Sequence, residues 1–169
     1  MPKKQASPRS ERSQTRKRVG QAHASTVQDV MVSRVVTIEP SASLADAARA
    51  MREANVGMLP VVDAGKVTGI ITDRDIVVRG IARAVDVSSS PVGDYLSSEV
   101  ICARPDWTTE QAMKAMGDAQ IGRLPVVDSQ DRLVGVVTLS SMAFRAPDKG
   151  EALETAQEVS RRSAHESVT

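Results

Sequence analysis

The run Thr72-Asp73-Arg74-Asp75 sets a hydroxyl three residues ahead of a carboxylate. Thr72 has the type and position of a helix N-cap, where free backbone amides and the helix dipole attract anions. Asp75 falls in the first turn, where acids are favoured electrostatically. Its carboxylate accepts two hydrogen bonds side by side, which suits vicinal hydroxyl donors. Asp73 and Asp75 do not read as a metal pair, because two acids of one turn without His or Cys beside them are ordinarily solvated. Arg123, just ahead of a Leu-Pro pair, is a further cation of interest, with a plain surface or salt-bridge role as its alternative. Cys102 is the single cysteine and reads as a small buried thiol, since it allows neither an internal disulfide nor a Cys-based zinc site. His23 and His165 stand in polar terminal stretches and make no ligand spacing with anything.

These residues point to binding rather than turnover. There is no Gly-x-x-x-x-Gly-Lys-Ser/Thr phosphate loop, no Gly-x-Ser-x-Gly elbow and no His-Glu-x-x-His motif. With both histidines in the terminal stretches, a His-based nucleophile relay lacks its base, so the chain is not expected to be an enzyme and no metal ligands are expected. Aromatic residues make up only 2% of the 169 residues, too few for the stacking platforms of single-strand nucleic-acid binders. No apolar stretch approaches the roughly 18 residues of a membrane span, and no signal-peptide core is present, so a cytoplasmic protein is expected.

The elements that must position these residues come in two copies. Gly57-Met-Leu-Pro-Val-Val-Asp63 recurs as Gly122-Arg-Leu-Pro-Val-Val-Asp128 at an offset of 65, which rises to 66 beyond that Asp, where Gly69 maps to Gly135 and Thr72 to Thr138. The slip places one extra residue of the second copy in a turn between Asp128 and Gly135. Residues 35–38 read as a β-branched strand ended by Pro40. Ser43 with Asp46, and Thr108 with Gln111, make capping boxes. Leu44, Ala47, Ala48 and Met51, and in copy two Ala112, Met113 and Met116, form apolar helical stripes. Residues 59–62 and 67–71 read as a hairpin turned at Ala64-Gly65, followed by a helix over residues 73–82. Short capped segments at residues 26–31 and 90–96 precede the copies, the second with Pro91 as its first helical residue. One copy of about 60 residues buries too little surface to be comfortably stable alone, so the two should cover each other's sheets.

Charge is uneven. Residues 1–25 hold seven basic residues against Glu11, a net +6, which leaves the remainder at −5. The composition is that of a solvated, disordered tail; a nucleic-acid or anionic-membrane arm and an organelle transit peptide are the alternatives. Residues 147–169 read as a second polar tail, with Pro147 breaking any helix from Ser140 and only Ala152, Ala156 and Val159 as an apolar stripe.

The ordered motifs, present twice, resemble the CBS domain, named for cystathionine β-synthase; the tandem resembles a Bateman module over roughly residues 26–145, and Thr72-Asp-Arg-Asp-Ile-Val-Val-Arg-Gly80 resembles stand-alone bacterial pairs of the hypoxic-response type. The resemblance implies an α/β (α+β) fold of two β-α-β-β-α repeats, residues 26–86 and 87–146, packed sheet to sheet with pseudo-twofold symmetry. It also implies a non-catalytic regulatory module that binds AMP, ADP, ATP or S-adenosylmethionine between the repeats, commonly as a homodimer. By that resemblance Asp75 accepts the ribose hydroxyls and Thr72 contacts phosphate or ribose. Thr37, Ile38, Val56, Gly57, Met58, Leu59 and Pro60 surround adenine, and Arg123 meets a phosphate. Copy two departs from the pattern at Ser141, where copy one has Asp75, so one competent ribose site is expected beside a second that is weak, empty or altered. A ligand-independent dimerisation scaffold acting through a protein partner is the alternative function. Neither a membrane nor a nucleic acid is expected as a partner, and no cofactor is required.

Overall fold

The computed structural model describes residues 25–145 and Gln157, the side chains of residues 144 and 145 aside. Both tails, with His23, His165 and the expected break at Pro147, lie outside the described residues. The chain order is α1 (Val27–Val30), α2 (Leu44–Ala54), β1 (Met58–Asp63), β2 (Lys66–Thr72), α3 (Asp73–Asp75), α4 (Thr109–Ala119), β3 (Arg123–Val127), β4 (Leu133–Thr138) and α5 (Leu139–Arg145).

The helices start where side chains satisfy their free amides. Asp46 N–H donates to Ser43 Oγ at 3.1 Å and the Ser43 hydroxyl donates to Asp46 Oδ2 at 2.7 Å; ahead of α4, Gln111 N–H donates to Thr108 Oγ1 at 3.2 Å and the Thr108 amide donates to Gln111 Oε1 at 2.9 Å. Leu44, Ala47 and Met51 bury the inner face of α2, and Ala112, Met113 and Met116 that of α4. Ala48, expected on the stripe, is exposed. It sits beside the line of contact with β1 and instead borders an outer groove with Arg52, Ile76, Ile81 and Val87.

Each repeat carries one antiparallel hairpin, β1 with β2 and β3 with β4, and each hairpin has the same bulge, after Val61 and after Val126. The turns account for the slipped offset. Copy one closes through Ala64 and Gly65, both at positive φ, the two-residue turn that fits the twist of a hairpin. Copy two closes over residues 129–131 with Asp131 at φ 61 and Asp128 N–H donating to Arg132 O at 2.9 Å, one residue longer.

Residues 35–38, expected as a strand, make only an isolated parallel bridge at Ile38 to Val61. The reason is that this segment crosses between the two hairpins. Val32 exchanges hydrogen bonds with Val136 of copy two at 2.9 and 3.0 Å, and Ile38 then exchanges them with Pro60 and Val62 of copy one. The following copy repeats the crossing, from Ser97 on Ile70 to Ala103 beside Val126. Gly69 and Gly135 permit the crossings: a Cβ at Gly69 would lie 2.6 Å from Leu96 Cδ1, and one at Gly135 2.8 Å from Met31 Sδ.

The same exchange shapes the core. Val27 and Val30 of α1 are buried among Met113, Met116, Leu124 and Val137 of copy two, while Val92 is buried among Leu44, Leu59 and Ile71 of copy one. The anchoring bonds are paired across the pseudo-twofold: Val27 N–H to Trp107 O and Val92 N–H to Ala42 O are both 2.8 Å. Each short leading segment therefore lids the other repeat, which interlocks two units that are individually small.

Candidate functional site

Thr72 caps α3, and Asp75 closes the reciprocal pair. Asp75 Oδ2 accepts the Thr72 amide at 3.0 Å and its hydroxyl at 2.6 Å, while Asp75 N–H donates to Thr72 Oγ1 at 3.2 Å. Oδ1 faces the Arg79 guanidinium at 3.7 Å, and Arg79 also donates to the Tyr95 carbonyl. The helix expected over residues 73–82 is continuous in path only. After α3 it widens into a π-helical stretch, Ile76–Gly80, and tightens into a 3-10 turn, Ile81–Arg83. The widening falls where Gly80 seats against α2, a Cβ there lying 3.2 Å from Leu44 Cδ1. Such stretches recur at functional sites.

Copy two builds the cap without charge. Ser141 N–H donates to Thr138 Oγ1 at 2.9 Å, and Ser141 Oγ accepts the Thr138 amide at 3.1 Å while donating to its carbonyl. Across each hairpin, Thr72 is paired with Met58 and Thr138 with Arg123. One sheet thus joins a carboxylate to a methionine, and the other joins a neutral cap to an arginine.

A cavity of about 320 Å³ opens between the repeats. Its walls are the crossing segment around Val32, Arg34 and Val36, the residues leading from α2 into β1, and Arg123, Val136 and Thr138 of copy two. Of the residues named from the sequence, Val56, Met58, Pro60 and Arg123 line it. Leu59 points the other way, as strand alternation requires, and is fully buried in the copy-one core. Ile38 packs at the edge of that core and Thr37 is exposed. Gly57 lies under Asp73, whose carboxylate oxygen stands 2.8 Å from where a Cβ would be.

Thr72 and Asp75 are not on this cavity. The pseudo-twofold that pairs Val32 with Val136 also pairs Ser97 with Ile70, so the equivalent surface beside Thr72 and Asp75 is crossed by residues 97–103. The named residues therefore divide between two faces, because each face joins the cap of one repeat to the crossing segment of the other. Arg34 and Thr138 were missed as wall residues; the repeat offset marks Thr138 as the counterpart of Thr72, while nothing in the sequence marks Arg34. Cys102, on the second crossing, is half-buried rather than buried, and desolvation pushes its thiol pKa up against the opposing pull of Arg104.

Together these features define a duplicated module with a cleft between its repeats. The CBS domain model matches residues 27–80 and 92–146. The chain belongs to the CBS domain family, as a pair of such domains. It is 36% identical over 141 residues to the CBS domain-containing protein YhcV of Bacillus subtilis, covering 83% of this chain and 99% of that one. Its fold is similar to that of Hypoxic Response Protein I solved with two coordinated zinc ions (TM-score 0.65, 30% identity, 71% of this chain and 98% of that one). It is equally similar to the CBS domain pair of MJ0100 solved with 5′-methylthioadenosine and S-adenosyl-L-methionine (TM-score 0.65, 28% identity, 72% and 95%). Among the described residues, no group of three or more His, Cys, Asp or Glu is placed to hold a metal ion, so nothing there carries the zinc of the first structure over to this chain.

Proposed function

We propose that this chain is a regulatory, non-catalytic sensor of an adenosyl compound, AMP, ADP, ATP or S-adenosylmethionine, acting in the cytoplasm as a homodimer that signals to a protein partner. The observation that carries the reading is the cleft between the repeats, bordered by the segments that cross from one hairpin to the other. A ligand seated there touches both repeats and favours one relative placement of them, by no more than its difference in affinity for the two placements. The adenosyl ligands of the MJ0100 pair support the ligand class. Among the described residues no helix is long and apolar enough to cross a membrane. On the equivalent face beside Thr72, outside this cavity, Asp75 Oδ1, carrying only the Arg79 contact, is the oxygen left for a ribose hydroxyl, with Oδ2 shared with the cap.

Thermal unfolding with each of the four compounds tests the reading, since a ligand of the native state alone stabilises it by about 2.7 kcal/mol at a hundred times its Kd. A rise in Tm with at least one compound is expected. No rise with any of them at millimolar concentration rejects the sensor. A specific feature favours the scaffold as the second reading: Val77, Val78 and Ile81, 53%, 51% and 60% exposed, form an apolar outer face beside α2, suited to a second copy of the chain.

A further inference from the structure

The hydrogen bonds divide the described residues into two bodies that are not the two sequence repeats. Residues 90–97 bond to copy one, through Leu44 N–H to Ser90 O and Val92 N–H to Ala42 O, and residues 26–32 bond to copy two, through Val27 N–H to Trp107 O and Val32 N–H to Val136 O. The two apolar cores follow the same division and share no residue: Val92 and Leu96 go with Leu59 and Ile71, and Val27 and Val30 with Leu124 and Val137. The chain passes from one body to the other twice, through residues 33–37 and 98–102. Among the described residues, 33–37 take part in no hydrogen bond, and those of 98–102 stay within the segment, Val100 N–H to Ser98 O and the Cys102 thiol to Val100 O.

The bodies meet again at their hairpin tips. Leu133 N–H donates to Gly65 O at 3.2 Å, and Lys66 faces Arg132 across an antiparallel bridge. The offset of 66 makes Arg132 the counterpart of Lys66, so the pseudo-twofold axis runs between them and each meets its own image. Because the bond is made by their neighbours, the two form the non-hydrogen-bonded kind of pair, in which opposed side chains stand closest. Like charges placed there are destabilising. Arg132 is held by Asp128 at 2.8 Å and Arg104 by Asp131 at 2.9 Å. Asp63 is opposite Lys66 in its own hairpin, yet among the described residues Lys66 has no ion pair.

We propose that the hairpin tips are a pivot kept under charge repulsion by Lys66 and Arg132, about which the two exchanged bodies swing on hinges at residues 33–37 and 98–102. The cavity lies across this joint: Val56 and Met58 come from one body, Val136 and Thr138 from the other, and Val36 from a hinge. Swinging changes its width, so the pivot sets how readily the cleft opens whatever ligand it takes.

The test measures the distance between the tips in the full chain. Nitroxides are placed at Ala64→Cys and Ser129→Cys, exposed counterparts in the two turns, in a Cys102→Ala background diluted with unlabelled chain, and read by pulsed electron resonance. The parent should show a population of separated tips, which Lys66→Met lowers about two- to fivefold, the size of one opposed like-charge pair. Lys66→Arg, which keeps the charge, should leave that population in place. Salt at about 0.5 M should act on the parent as Lys66→Met does, and add little to that variant. A single short distance in the parent overturns the pivot, as does the same change in Lys66→Met and Lys66→Arg, or a separated population that neither Lys66→Met nor salt moves. No ligand enters the measurement, so failure here leaves the adenosyl reading untouched.

Discussion

Asp75 holds Thr72 by the same carboxylate that a sugar would need: one oxygen accepts both the Thr72 amide and hydroxyl, at 3.0 and 2.6 Å, and only the other faces outward toward Arg79. Its structural role and the sugar-binding role proposed for it therefore overlap, and an alanine variant confounds them. Copy two supplies the way to separate them, because Ser141 makes the cap with no charge.

Asp75→Ser should accordingly stay within about 0.5 kcal/mol of the parent stability, whereas Asp75→Ala, which keeps the Thr72 N-cap but loses the reciprocal hydrogen bonds to the Thr72 amide and hydroxyl, should lose about 1 kcal/mol. Urea unfolding of the two variants in the absence of ligand measures the difference. Equal losses in both would show that Ser does not cap at this position.

The close approach of Leu96 to Gly69 gives a second expectation. A Cβ at 2.6 Å from Leu96 Cδ1 must displace that side chain, so Gly69→Ala should destabilise by about 1–3 kcal/mol, the range for overpacking. Adding Leu96→Ala should cost less than the sum of the two single changes, because each relieves the other. Strict additivity in chemical unfolding would contradict the contact.

Acid should loosen the fold through the exposed caps and turns. The Ser43 hydroxyl and then its amide hold the Asp46 carboxyl below the ordinary range, and the Arg132 amide and side chain do the same for Asp128. A lowered folded pKa contributes stability that is complete above the unfolded value of about 3.9 and lost as pH falls through the folded one. The urea midpoint should therefore be flat from pH 7 to 5 on account of these groups and decline below pH 4. Asp46→Asn should make the decline shallower; an unaltered acid limb would remove Asp46 from the account.

The outer apolar face predicts assembly. Val77→Lys with Ile81→Lys places two cations on residues that are each more than half exposed, so folding should survive while self-association is lost. Sedimentation equilibrium should report a dimer for the parent and a monomer for the variant. A variant of unchanged mass would exclude this face from the dimer contact.

Much of the fold was legible because its signals are local and duplicated. The capping pairs at Ser43 and Thr108, the turn at Ala64-Gly65 and the extra residue ahead of Gly135 are all read from neighbours in sequence, and each appears at its expected place. What escaped was long-range. Nothing near Val27 says that it packs on Met116 rather than on its own repeat, and nothing near Val35 says that its segment crosses from one hairpin to the other, bridged only at Val32 and Ile38. The β-branched run was correct for an extended backbone but silent about pairing. The site suffered from the same gap: all seven residues assigned to the adenine pocket came from copy one, whereas the cavity also draws on Arg123, Val136 and Thr138 of copy two. The widened turn at Ile76–Gly80 was likewise invisible, because it depends on how Gly80 meets Leu44.

Calorimetric titration of the full chain with AMP, ADP, ATP and S-adenosylmethionine, run beside Asp75→Ser, decides whether the protein senses an adenosyl compound through Asp75. Saturable binding of at least one compound is predicted, with a component weakened about tenfold to a hundredfold in the variant, as the loss of charge-assisted hydrogen bonds requires. The same affinities in both proteins would contradict the placement of the sugar at Asp75, and no heat with any of the four would contradict the sensor itself.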